Sequence, residues 1–256
     1  MTALRAAFGL LPPLVACASP PEAISLGGIE EYTGIYTSPG GGIIELHHGY
    51  DGALRGYVRT DRIAALTAVD TRDGALAAHA TYDDGTRAEV RAALMPGPLL
   101  VLDGNEYRRS AVEEPADATV RREIEEAYAE LAWAVDTKNY AAFQELRVAE
   151  FATIPPDGVP SPGSRMAERA RGLLERIQPP ITTTNDILEL TVRGNDAIAT
   201  VRQKFTRMQL VQGTEHTIHT EVTQRETWTR TPEGWKLLFV DEVRDPMTID
   251  DGRRVQ

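Results

Sequence analysis

The sequence predicts an α+β protein: a small antiparallel β-meander that closes into a barrel, then a domain of three helices followed by a long antiparallel sheet. Three observations predict it. Four Asp-Gly dipeptides, at 51–52, 73–74, 84–85 and 103–104, separate short alternating segments between Tyr32 and Arg109. Asp-Gly supplies the positive φ that a tight hairpin turn needs. Apolar residues at helical spacing then run from Val120 to Ile177. After residue 187 only strand-like segments and turns follow, and helices succeeded by strands indicate an α+β domain.

The N-terminus has its own logic. Met1 to Arg5 is a short head with one positive charge, and Ala6 to Ala16 is apolar. That stretch falls short of the ~20 residues a membrane-spanning helix needs, but it suits a signal-peptide core. It closes with Leu14-Val15-Ala16-Cys17, which resembles the bacterial lipobox. The resemblance implies removal of residues 1–16, a diacylglyceryl group on the thiol of Cys17, and a lipid-anchored place in the cell envelope. Ala18 in place of Asp implies the outer membrane, facing the periplasm, in a cell with two membranes. Cys17 is the one cysteine, so no intramolecular disulfide and no Cys-rich zinc site can form. Residues 17–29, with Ser19-Pro20-Pro21-Glu22, form a tether.

The β domain covers 30–110. Its expected strands are 32–36, 43–48, 53–59, 63–69, 75–82, 87–94, 99–102 and 106–109. The period is two: Leu76, Ala78, Ala80 and Tyr82 share one face, opposite His79 and Thr81. Consecutive hairpins of this kind favour a meander that curls into a barrel, which removes exposed edges. Tyr32-Thr33-Gly34-Ile35-Tyr36 and Tyr107-Arg108-Arg109 resemble the modules that open and close lipocalin-like meanders.

A linker at 111–117 leads into the second domain. Val120, Ile124, Ala127, Tyr128, Leu131 and Val135 give the first helix an apolar stripe, with Asp117, Glu123, Glu125 and Glu126 near its positive end. A short second helix carries Tyr140, Phe143, Leu146 and Phe151. The loop Pro155-Pro156-Asp157-Gly158 leads to a third helix with Met166, Ala170, Leu173, Leu174 and Ile177; Ser164 can cap it and Pro179-Pro180 ends it. Strands are expected at 187–193, 197–211, 215–230 and 235–244, with a polar tail at 247–256.

This order, with Asp136 after the first helix, the Gly194-Asn195-Asp196-Ala197 turn, and Thr227-Trp228-Thr229 leading to Gly234-Trp235-Lys236, resembles the SnoaL-like branch of the nuclear transport factor 2-like superfamily over 118–246. The resemblance implies a cone-shaped, cystatin-like α+β domain: a curved sheet wrapped on helices with a pocket between them. That superfamily includes ketosteroid isomerases, polyketide cyclases and dehydratases, so the fold does not decide the function.

A net charge of -11 argues against nucleic acid, which needs clustered basic residues. His47 and His48 are adjacent on a strand, and His216 and His219 are three apart, so each pair points to opposite faces. No nucleophile elbow or phosphate-binding glycine loop is present, and neither a metal nor a cofactor is expected. In the isomerases a helix tyrosine lies eight residues before an Asp, a spacing that Tyr128 and Asp136 reproduce. Their base position falls at Ala152 to Pro155, where no residue takes a proton.

The catalytic candidates are therefore Tyr128, Asp157 and Asp241, and the ligand-binding candidates are Tyr128, Phe151, Phe205, His219, Arg225 and Trp228. On 215–230 the face with His219, Glu221, Thr223, Arg225 and Thr227 is either solvent-exposed or a polar pocket wall. Strand 235–244 is apolar on both faces, with Trp235, Leu237 and Phe239 on one and Leu238 and Val240 on the other, and needs cover on both. A homodimer through this sheet, or the protein's own β domain, supplies it. The functional expectation is binding of a small apolar ligand or a protein partner at the membrane surface. The alternative is an isomerase, cyclase or hydrolase acting on a small hydrophobic substrate, and a third reading is an assembly subunit without a ligand.

Overall fold

The computed structural model describes residues 32–254 apart from 50, 74, 96, 98, 156, 157 and 212. The expected leader, Cys17 with the whole tether, and Asp157 lie outside the described residues.

Eight strands close into an antiparallel barrel in sequence order: β1 (Gly34–Thr37), β2 (Ile43–His48), β3 (Leu54–Arg59), β4 (Ile63–Arg72), β5 (Ala75–Tyr82), β6 (Arg87–Met95), β7 (Leu99–Leu102) and β8 (Asn105–Ala111). Closure pairs Tyr36 with Arg109 and Thr37 with Arg108. Residues of one parity fill the interior, among them Tyr36, Leu46, Leu66, Leu76, Ala80, Leu100 and Tyr107. Asp103 and Gly104 both have positive φ, 52° and 77°, and make a two-residue hairpin between β7 and β8. At 51–52 and 84–85 only the glycine is left-handed, so those Asp-Gly pairs sit in longer turns. Gly56 has a different reason: a Cβ there would lie 1.9 Å from the carbonyl oxygen of Glu45 on the neighbouring strand.

The expected linker is partly sheet. β9 (Glu114–Pro115) pairs with the first long strand of the second domain and so pins the crossing. Helix α1 (Ala118–Asp136) is capped by the Asp117 carboxylate, which accepts from the backbone N–H of Thr119 and of Val120 at 2.8 Å each. It buries Ile124, Ala127, Tyr128, Leu131 and Ala134. Helix α2 (Tyr140–Glu145) stops early, and Phe151 belongs instead to strand β10 (Arg147–Thr153). After β11 (Ser161–Pro162), helix α3 (Gly163–Arg176) begins before Ser164, which is not its cap. Pro179-Pro180 lies inside β12 (Ile177–Arg193) rather than at the helix end.

The sheet is completed by β13 (Asp196–Val211), β14 (Thr214–Thr231), β15 (Gly234–Asp250) and β16 (Arg253–Arg254), in the order β11-β10-β15-β14-β13-β12-β9, with β16 beside β15. The expected polar tail is therefore strand through Asp250. Helices cover one face around Trp228, Leu131 and Ile124.

The other face meets the barrel. Tyr57 packs on Phe239 with ring centroids 4.5 Å apart, joined by Ala152 and Leu238. The facing of β15 departs from simple alternation. Thr227 pairs with Phe239 and Trp228 with Leu237, so Leu238 is the extra residue of a bulge. Leu237 and Val240 face the helices, whereas Leu238 and Phe239 face the barrel. The two-sided cover that β15 needs comes from within the chain at these residues. On β14, Thr223, Arg225 and Thr227 are buried under the barrel, not open to solvent. Among the described residues no helix is long and apolar enough to cross a membrane, which leaves β-barrel membrane proteins unaddressed.

Candidate functional site

A cavity of about 450 Å³ lies between the helices and the concave side of the sheet. Leu131 and Val135 of α1, Phe143 of α2, Phe151 of β10, Leu173 and Leu174 of α3, and Phe205 of β13 give it an apolar wall. Polar side chains are a minority of the lining: Arg147, Thr153, Arg169, Thr183, Gln203, Gln224 and Glu226.

Glu226 is the focus. It is 1% exposed, because its place on β14 points it under α1 with Trp228 two residues on. Tyr128 donates its hydroxyl to Glu226 Oε2 at 2.8 Å, and Gln224 Nε2 donates to Oε1 at 2.6 Å. Trp228 Nε1 donates to the Tyr128 oxygen at 3.2 Å, and the two rings meet edge to face at 5.1 Å. Burial raises the proton affinity of the Glu226 carboxyl, against the opposing pull of Gln224, Tyr128 and Arg147. Burial and the Glu226 charge together push the Tyr128 phenol well above its usual range. Arg147 lies with its guanidinium 3.6 Å from the Phe143 ring centroid and is lowered to about 10 by burial. The pocket thus holds a carboxyl of raised proton affinity and a desolvated cation.

The sequence candidates divide. Phe151 and Phe205 line the pocket. Tyr128 and Trp228 stand behind Glu226 and position it. His219 is exposed and bonds Thr206 at 2.8 Å. Arg225 and Asp241 lie on the opposite side of the sheet, so Asp241 cannot serve as the base of this pocket. Glu226 escaped the sequence reading, although it shares the parity of Ile218, Val222 and Trp228. A carboxylate on an apolar face was the available signal. Thr153, Ile154 and Pro155, at the position of the isomerase base, do reach the pocket wall, but none carries a carboxyl.

Arg225 and Asp241 belong to a second polar centre, between the domains. Arg225 Nη2 donates to Glu45 of the barrel at 2.9 Å, and its Nη1 lies 3.4 Å from Asp241. Arg193 Nη2 is 2.8 Å from the other Glu45 oxygen. Glu45 is fully buried, and although burial raises its carboxyl, Arg193 and Arg225 together hold it well below the usual range. Separately, His216 is 2.9 Å from Asp250 and 3.1 Å from Asp251 near the end of β15, a partly exposed grouping.

A curved antiparallel sheet wrapped on three helices, with a pocket between them and a buried carboxyl in it, defines a cone-type α+β domain. Residues 116–241 match the SnoaL-like domain family. Among solved structures, a nuclear transport factor 2-like superfamily protein from Salmonella enterica serovar Typhimurium is 24% identical over 51% of this chain and 94% of its own, with a TM-score of 0.42. A conserved protein from Planctomyces limnophilus is 11% identical over 52% of this chain and 100% of its own, at 0.44. The protein Aln2 from a Streptomyces species is 14% identical over 51% and 94%, at 0.42. No curated protein matches the chain.

Proposed function

We propose that the cone pocket binds a small, mostly apolar molecule whose one polar group faces Glu226. The observation that carries this reading is a buried carboxyl lining a mostly apolar cavity of about 450 Å³. A cavity in the ~300–1,000 Å³ range with a few convergent polar groups is the usual form of a small-molecule site. Native mass spectrometry of the purified protein tests it, with the neutral dye Nile red as a reporter. A bound small molecule, lost together with dye binding when Met166→Trp fills the wall, supports the proposal. A protein that carries no ligand and binds no dye rejects it.

A second reading is proton transfer on a small hydrophobic carbonyl compound, as in an isomerase or dehydratase. The raised Glu226 carboxyl favours it: its carboxylate form is a stronger base than an ordinary one, so it can take a proton from carbon and, once protonated, return it elsewhere. Glu226 is then the catalytic residue and Tyr128 a positioning residue. Turnover of ketone substrates that survives Glu226→Gln rejects this reading.

The site is proposed to sit at the membrane surface of the cell envelope through acylated Cys17. Intact mass of the membrane fraction tests this: a form that keeps residues 1–16 and carries no lipid rejects it. Pairing of two chains through the C-terminal sheet is proposed only outside the barrel footprint, where Leu188 and Leu210 are exposed. Light scattering of the intact chain gives twice the single-chain mass if the pair forms.

A further inference from the structure

We infer that His47 is a proton-controlled pin between the barrel and the cone, and that its charge sets the shape of the cone pocket. His47 projects from β2 toward the sheet and is 5% exposed. Its Nδ1 lies 3.2 Å from Glu45 of its own strand. Its Nε2 lies 3.4 Å from Asp241 and 3.9 Å from Glu242, both on β15 of the other domain. A neutral imidazole has one N–H, so its other nitrogen would present a lone pair to a carboxylate. Only the doubly protonated ring offers an N–H to both sides and attracts both domains at once.

Arginines and carboxylates of both domains surround it. Arg55 from β3 donates to Glu242 at 2.7 and 2.8 Å and to the exposed Asp51 at 2.6 Å. Arg193 from β12 and Arg225 from β14 meet Glu45, and Arg225 also meets Asp241. Asp196 of β13 feels Arg193 and Glu45 from the side, and Arg244 of β15 lines the cleft beside His47. Arg55, Arg193 and Arg225 thus face Glu45, Asp241 and Glu242, with Glu113 and Glu189 also lining the cleft, and the proton on His47 is the variable charge. Burial and Arg225 act against that proton, but Glu242, Glu45 and Asp241 outweigh them and raise the ring above its ordinary value. The pin is therefore in place below that ordinary value and is lost as pH rises through the folded value.

The link to the pocket is structural. A cavity of about 390 Å³ beside His47 shares Ile154, Pro155 and Val243 with the wall of the cone pocket. On β14, Gln224 and Glu226 line the pocket while Arg225 between them is held by the pin's partners. Loosening at Asp241 and Glu242 is transmitted to Val243 on the same strand. This inference rests on the cone pocket being a ligand site.

The experiment titrates His47 by the NMR signal of its ring and measures Nile red affinity on the same full-length protein from about pH 5.5 to about pH 8.5, a range that spans imidazole titration. The expected result is a ring that titrates above free imidazole and a loss of dye affinity of about fivefold in step with it, a typical coupling between sites. In His47→Gln the affinity is flat over the same range. In Glu226→Gln the pH dependence persists, which separates the pin from the pocket carboxyl. If His47→Gln folds poorly, coincidence of the two wild-type titrations decides. Dye affinity that does not follow the ring, or a ring that titrates below free imidazole, overturns the inference. A ring that titrates high and shifts the amide signals of β15, with no dye bound at any pH, leaves the pin standing and rejects the pocket reading instead.

Discussion

Arg225 is the residue whose removal most directly tests the domain junction. Arg225→Met keeps the length and apolar volume of the side chain but deletes its charge. Glu45, 0% exposed, would keep Arg193, His47 and the Tyr57 hydroxyl, and Asp241, 4% exposed, would keep His47. Breaking a buried ion pair by removing one partner costs about 3–5 kcal/mol, because the other charge stays desolvated. The retained Arg193 contact at 2.8 Å puts the expected loss near the lower end, about 3 kcal/mol or roughly a hundredfold in the folding equilibrium. Urea unfolding followed by tryptophan fluorescence reads the cone, where Trp133, Trp228 and Trp235 all lie, and far-UV circular dichroism adds the barrel. The pH dependence has a definite sign. Glu45 is held below its ordinary value of 4.5, so its contribution is complete above that value and disappears as pH falls through the folded one. In Arg225→Met the depression is smaller, so acid destabilisation sets in at higher pH than in the wild type. A loss under about 1 kcal/mol at neutral pH would refute the reasoning, because a cost that small belongs to solvated pairs.

Glu226→Gln keeps the shape and the Tyr128 contact without the charge. Because the folded Glu226 carboxyl is raised, its ionisation costs stability above that value, so the variant melts at a higher temperature than the wild type at about pH 8, an advantage that vanishes near pH 4, where model carboxyls themselves protonate; calorimetry at the two pH values checks it. Tyr128→Phe removes the donor to Glu226 and the acceptor for Trp228, and should cost about 1–3 kcal/mol in chemical denaturation, the penalty for unsatisfied buried groups. Gly56→Ala places a methyl 1.9 Å from the Glu45 carbonyl oxygen, so β2 and β3 must separate. Overpacking of this kind costs about 3 kcal/mol, and a barrel melting temperature within error of the wild type would show that the strands yield.

Much of the architecture is legible because it is local. Hairpin strands, Asp-Gly turns and the α1 stripe each record their facing in residues two to four positions apart, and β2, β5 and β7 fall at the expected bounds. Phe151 reads as helical from its sequence because its spacing from Phe143 and Leu146 also fits a helix, and only pairing of β10 with β15 settles it as strand. The facing of β15 is unreadable past Leu238, since a bulge reverses parity without any mark in composition.

The candidate site is half legible. Tyr128, Phe151 and Phe205 stand out in the sequence, but Glu226 does not, because a single carboxylate on an apolar strand face looks like a break in the pattern. Whether it is buried depends on α1 lying across it, with the hydroxyl of Tyr128, 98 positions away, reaching its oxygen. Arg225 and Asp241 stand out as well, yet they lie on the other side of the sheet from the pocket. By itself the sequence determined the two-domain order, the barrel and the helix-then-sheet cone, because periodicity and turn chemistry are written in neighbouring residues. Only the tertiary structure decided that buried charge joins the apolar contact where the barrel docks on the cone, because Glu45 and Arg225 meet across 180 positions and a contact that distant leaves no period in the chain.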